Sequence, residues 1–335
     1  MMNRDVQSLR GFACLLLVLY HVAGSTPAQG LHISDGLLRL LTDGLATVRM
    51  PLFALIAGAL YGWRPGMDVA KLGDKFRRLI VPMLIVSTVF ALVQAWVPAA
   101  NSEVQDWHLL HILPVAHYWF LESLFLVFCV MTLVDWVRGL ASVNRWACVF
   151  GASIALYLTH PGENWFGFMG MIYLLPYFLA GFALTRFGFG TMALAPRLAP
   201  VMIVCALAVI AIWEPPSVDT NRFSLAMLGI GLLFSAALWI RPVRARWLAR
   251  IGDYSFAIFL FHVFFTAATR ILLNRLGVQE VGMHVVLGLA CGVIGPVLVH
   301  LLIVRSRVMR ALLLGMYRKP TVGREPRAPG SLSQA

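Results

Sequence analysis

The chain reads as an all-α, polytopic transmembrane helical bundle of about ten spans, with both termini on the cytoplasmic side. Three observations lead there. Hydrophobic residues fill 60% of the 335 positions and charged ones only 13%, and the mean hydropathy is +0.80. A soluble globule of this size needs far more polar surface. The apolar residues come in long runs, each near the ~20 residues that a bilayer core requires, and not in the short alternating segments of a membrane β-barrel. Finally, 22 of the 27 Lys and Arg fall in alternate connecting segments and at the two ends of the chain, as expected where cationic loops stay in the cytoplasm.

The runs lie at about 8–27, 37–62, 79–98, 112–134, 145–159, 165–185, 192–213, 223–240, 254–274 and 283–304. The fifth is short. The second contains Arg39, Asp43 and Arg49, which points to a broken or partly interfacial segment. Basic connections carry Arg64, Lys71, Lys75, Arg77 and Arg78, then Arg138 and Arg145, then Arg186 and Arg197, then Arg241, Arg244, Arg246 and Arg250. The intervening ones, around Glu103 and Asp106 and around His160 and Glu163, have no Lys or Arg, and the turn with Glu214 and Asp219 has Arg222 alone. Two domains of unequal size follow: an integral membrane domain over 1–310 and a basic, disordered cytoplasmic tail over 311–335, whose end is rich in Pro, Gly and Ser. Arg4 and Arg10 ahead of the first apolar run read as an uncleaved signal anchor.

The net charge of +12 belongs to the cytoplasmic loops, so no nucleic-acid partner is expected; the partner is the lipid bilayer. Cys14, Cys129, Cys148, Cys205 and Cys291 sit singly in apolar runs and read as small buried hydrophobes. No histidine pattern has metal-ligand spacing, and no metal is expected.

Five segments carry the chemistry. Arg10 and His21 share the first run, eleven positions apart. At ~100° per residue this is about 20° beyond three turns, so both project from one face, roughly 16 Å apart along the axis. Ionisable groups in a membrane helix are costly and face a bundle interior or a wet cavity. His21 is the candidate general base for a hydroxyl acceptor. Lys75, Arg77 and Arg78 form a cation cluster at the mouth of the third run, suited to phosphates and equally to anchoring against anionic lipid. Arg49 precedes Pro51, which suggests a helix break lining a cavity, or else a snorkelling arginine. The stretch His117-Tyr118-Trp119-Phe120-Leu121-Glu122 contains an intramembrane carboxylate, Glu122, that needs a partner such as His21 or Arg49. Ser255 and His262 lie about two turns apart on one helix face, as a buried pair or as site residues.

In this order the segments resemble the membrane acyltransferase 3 family, in the form of its fucose 4-O-acetylase-like O-acyltransferases. The resemblance rests on Arg4-Asp5, Ser8-Leu9-Arg10-Gly11 and His21, on Met50-Pro51-Leu52-Phe53 with Ala57-Gly58, on Lys75, Arg77, Arg78 and Pro82, on Trp119-Phe120-Leu121, and on Ser255 through His262. It departs at Ala57, where the family usually has Ser. The resemblance implies an acyltransferase of groups other than amino-acyl groups, multi-pass in a bacterial cytoplasmic (inner) membrane. Acyl-CoA, above all acetyl-CoA, is the implied donor, and a hydroxyl of a surface polysaccharide or lipid-linked glycan is the implied acceptor. In that scheme Lys75, Arg77 and Arg78 hold the coenzyme phosphates. His21, Arg10 and Glu122 are catalytic: Arg10 guides the donor or polarises its carbonyl, His21 deprotonates the acceptor, and Glu122 or His262 orients His21. Arg49, Trp119, Ser255 and His262 are assigned to the substrate. The scheme expects a pantetheine-wide cavity open to the cytoplasm and ending at His21. The rival reading is a multi-span transporter or flippase for a glycan or small anion, with Arg10, Arg49 and Glu122 along its pathway.

Overall fold

The computed structural model describes residues 2–24, 26, 29–66, 68–97, 107–159, 164–189, 220–240 and 243–317. The regular elements among these are helical: α1 (Met2–Ala23), α2 (Leu37–Gly44), α3 (Ala46–Trp63), α4 (Val69–Trp96), α5 (Trp119–Trp136), α6 (Val143–Leu158), α7 (Phe168–Arg186), α8 (Thr220–Ile240), α9 (Arg246–Asp253), α10 (Ser255–Arg275), α11 (Val281–Ile303) and α12 (Arg307–Leu314). The protein is a helical membrane bundle. Seven stretches among the described residues are long and apolar enough to cross a membrane: those of α1, α2–α3, α4, α5, α7, α10 and α11. The helix α6 and the 224–240 part of α8 are shorter apolar helices. The expected run at 192–213 lies outside the described residues.

Two helix boundaries differ from the sequence expectation for identifiable reasons. Helix α4 begins at Val69, about ten residues ahead of its apolar run, because Asp68 caps it by accepting the Lys71 N–H at 2.8 Å. The Lys and Arg side chains that follow are good helix formers. The second run is indeed interrupted, but at Leu45 and not at the Arg49–Pro51 step. Pro51 sits inside α3, where it removes the N–H that would have bonded the Thr47 carbonyl. Gly231 of α8 packs against that freed carbonyl, and a Cβ there would lie 2.7 Å from the oxygen.

The first helix is the hub, packing against α3, α9, α10 and α11. Glycines set the closest approaches. Gly58 of α3 lies against the Phe178 carbonyl of α7, and Gly181 of α7 lies against the Leu55 carbonyl of α3. The same reciprocity locks α1 to α9, with Gly11 on the Leu248 carbonyl and Gly252 on the Gln7 carbonyl. Small residues permit backbone-to-backbone contact where lipid offers no hydrophobic drive to associate. At the far end of the chain, residues 311–314 were expected in the tail but belong to α12. There Leu314 is buried, and Gly315 (φ +61°) sits on the backbone of Arg77 and Arg78 at the start of α4.

Candidate active site

A single stripe of α1 carries Arg10, Cys14, Leu17 and His21, each three or four residues from the next. His21 stands at the inner end of this stripe, where the 116–118 turn ahead of α5 and helix α10 bring two more imidazoles against it. The ring centroids are 4.9 Å apart for His21 and His262, 5.4 Å for His21 and His117, and 4.8 Å for His117 and His262. Backbone carbonyls fix how the two partners are protonated, since a carbonyl can only accept. His262 donates from Nδ1 to the Ile258 and Phe259 carbonyls at 2.8 and 3.0 Å. His117 donates from Nε2 to the Phe259 carbonyl at 3.0 Å. Each therefore keeps a bare ring nitrogen, Nε2 of His262 and Nδ1 of His117, and both are buried without a hydrogen-bond partner. Two unmatched acceptors beside His21 suit an imidazole that donates its one N–H to them and offers its other nitrogen elsewhere. The three rings do not form a metal-holding group among the described residues.

His21 and His117 line a cavity of about 750 Å³, a volume in the usual range for small-ligand sites. His262 is fully buried, against both His21 and His117, and is not part of its wall. The remaining wall comes from the turn after α1 (Gly24, Gln29, Gly30), the end of α4 (Phe90, Gln94), the 109–116 turn and the second half of α10 through Arg270 and Ile271. Arg49, Met50 and Trp119 line it and also line a second cavity of about 500 Å³ against Asn164 and Tyr173. The guanidinium of Arg49 lies over the Tyr20 ring, 3.3 Å from its centroid. Its Nη1 is buried with no partner.

At the other end of α1 the cations gather. Arg10, Lys75 and Arg78 are within electrostatic reach of one another. The Lys75 ammonium sits over the Phe128 ring at 4.1 Å, while Arg77 is exposed and turned toward Tyr317, 6.0 Å from its centroid. Ser255 accepts at its backbone carbonyl from the Cys14 thiol at 3.8 Å. It belongs to this end and not to the His21 cavity.

The expected direction of the cavity is thus corrected. The space at His21 opens away from the basic end, because Cys14 (0% exposed) and Leu17 (1% exposed) fill the stripe between Arg10 and His21. The structure also does not bring Glu122 to His21. Its Cβ lies against Gly167, and both carboxylate oxygens are buried with no hydrogen-bond partner among the described residues and no place in either cavity wall. His117, in the same sequence segment, occupies the place that the sequence assigned to Glu122. Its sequence signal was a histidine just ahead of an apolar run, which does not rank it above Glu122 in the same segment. Gln29, Gln94, Arg270 and His284 also line the cavity, and no spacing rule points to them, since they converge only through the turns.

A family model described as an acyltransferase domain matches residues 3–305. No curated protein and no solved structure matches the chain.

Proposed function

The chain belongs to the acyltransferase 3 family and is a membrane acyltransferase, and from that premise we propose that it transfers an acyl group, acetyl foremost, from acyl-coenzyme A to a hydroxyl of a surface or lipid-linked glycan. The observation that carries this reading is the imidazole of His21 exposed at the inner end of the cavity, with the unpaired acceptor of His262 beside it. His21 takes the proton of the acceptor hydroxyl as its oxygen attacks the thioester carbonyl. The carbon–sulfur bond then breaks, and the proton passes from His21 to the departing thiolate. His262 holds His21 in the tautomer that presents a bare nitrogen to the acceptor. His117, on the wall, contacts the acceptor itself.

Arg10, Lys75 and Arg78 receive the phosphates of the donor. Three mutually repelling cations at one end of the bundle are relieved by an anionic ligand. From there the pantetheine arm follows the stripe of α1 over ~16 Å to His21, with Cys14 and Leu17 moving aside. The excess of basic residues at this end supports a cytoplasmic side for it and for both termini, with the cavity mouth on the opposite side of a bacterial inner membrane. A cavity shut toward the basic end suits an acceptor that arrives from outside.

The test is label transfer from radioactive acetyl-CoA to glycan in membranes. The wild type labels the glycan, His21→Ala reduces labelling by ~10²–10⁴-fold, and Arg10→Ala raises the donor concentration needed for half-maximal labelling. Equal labelling by all three removes His21 and Arg10 from the mechanism.

A further inference from the structure

We propose that the acceptor carries an anionic group, a carboxylate or a phosphate, close to the hydroxyl that is acylated, and that Arg49 binds it. This rests on the acyl-transfer reading above and adds the chemical class of the substrate. Arg49 has one face of its guanidinium stacked on Tyr20 and also hydrogen-bonds that side chain, which leaves Nη1 to find an acceptor. Nη1 finds none among the described residues, although it is buried. A charged donor left unmatched away from water is among the more costly arrangements in a fold. The acid within electrostatic reach is Asp43, but it is already paired with Arg39 through both carboxylate oxygens.

Among the described residues neither cavity wall contains an aspartate or a glutamate, whereas Arg49 and Arg270 both line the larger one. Arg270 is engaged with the Gly30 carbonyl at 3.2 Å. Arg49 is therefore the cation that a ligand meets with a donor to spare. It stands where the two cavities adjoin, beside Trp119, and within electrostatic reach of His21. An anion held at Arg49 puts its neighbouring hydroxyl at the imidazole, and the flat ring of Trp119 gives the attached sugar a stacking surface. In a cavity walled by protein the charge pair is stronger than it is in solution.

Purified protein in detergent is titrated by calorimetry with a uronic-acid oligosaccharide, its methyl ester and a phosphorylated counterpart. Acyl transfer from acetyl-CoA to the same three is followed in parallel. The wild type binds at least one anionic form tenfold or more tightly than the ester; which one tells carboxylate from phosphate. Arg49→Gln loses that preference in binding and in the ratio of kcat/KM values, and Arg49→Lys, which keeps the charge, retains part of it. A wild type that binds ester and anion alike, or a preference unchanged in Arg49→Gln, overturns the proposal. If no acceptor is acylated while Arg49-dependent anion binding persists, the acyl-transfer reading has failed and the anion site stands.

Discussion

Replacing His262 by leucine separates a positioning histidine from a buried structural one. The volume is nearly conserved, so the core around α10 is not emptied. The carbonyls that lose the His262 N–H are not orphaned. Both belong to α10, where the Ile258 oxygen also faces the N–H of its own helical turn and the Phe259 oxygen also receives His117 Nε2 at 3.0 Å. The cost to stability is thus small. What disappears is the bare Nε2 beside His21, 4.9 Å between ring centroids, and with it the group we propose selects the tautomer of His21. Loss of an outer partner of this kind typically costs 10–100-fold, or about 1.4–2.7 kcal/mol in the barrier. The expected result in single-turnover assays is a kcat lowered by that factor, with KM for acetyl-CoA unchanged and a thermal midpoint near that of the wild type. His21→Ala falls further, and the double variant is no worse than His21→Ala alone, since the two act through one proton. A normal kcat in His262→Leu, or a double variant that multiplies the two losses, refutes the relay.

Further outcomes follow from the geometry. Alanine at Lys75 or Arg78 raises KM for acyl-CoA about tenfold or more and makes it less sensitive to salt, as expected when a charge-assisted phosphate contact is lost. The exposed Arg77, turned toward Tyr317, has the smallest effect of the three. Gly58→Ala and Gly181→Ala each place a methyl on a carbonyl of the facing helix and lower stability by about 1–3 kcal/mol in a detergent or urea unfolding series; a midpoint equal to wild type contradicts the close packing. His111 anchors the turn at the cavity mouth through Thr88 Oγ1 at 2.9 Å, and burial pushes its imidazole below the ordinary range. The unfolded turn therefore binds the proton more readily, so its docking is complete at neutral pH and weakens as pH falls through and below the ordinary histidine value. Hydrogen exchange at 107–113 speeds up over that range in the wild type, and His111→Gln flattens the profile.

Much of this was legible in the residues. Long apolar runs have one physical outcome in a bilayer, so the helices were readable from composition and length. The stripe of Arg10 and His21 followed from the period of α1. His262 was readable for the same reason, being a polar side chain on an apolar helix. What was not legible depends on three-dimensional convergence. Glu122 and His117 lie in one segment, and nothing in that segment says which of them reaches His21. The choice is made by the 116–118 turn, which leads into α5 and turns His117 toward Phe259 while Glu122 falls under Gly167. Likewise, Pro51 suggested the break in the second span, yet the helix absorbs it because Gly231 accommodates the freed carbonyl. The interruption falls instead at Leu45, between the exposed Arg39–Asp43 helix and the buried one.

The sealed stripe between Arg10 and His21 bears on how such an enzyme avoids becoming a leak. A permanently open route for a pantetheine arm would join the basic end to a polar cavity and admit water and ions along with the donor. Cys14 and Leu17 prevent this with one hydrogen-bonded thiol and one apolar side chain. The barrier is thin, about two helical turns, and it lies on the same face as both functional groups. A donor whose phosphates are seated at Arg10, Lys75 and Arg78 can displace it locally, whereas a hydrated ion gains nothing there to offset its desolvation. Leu17→Ala removes most of that seal. It should admit the donor more easily while raising hydrolysis of acyl-CoA in the absence of glycan, because water then reaches the thioester beside His21. Donor hydrolysis that stays at the wild-type rate in Leu17→Ala would show that the arm reaches His21 by another path.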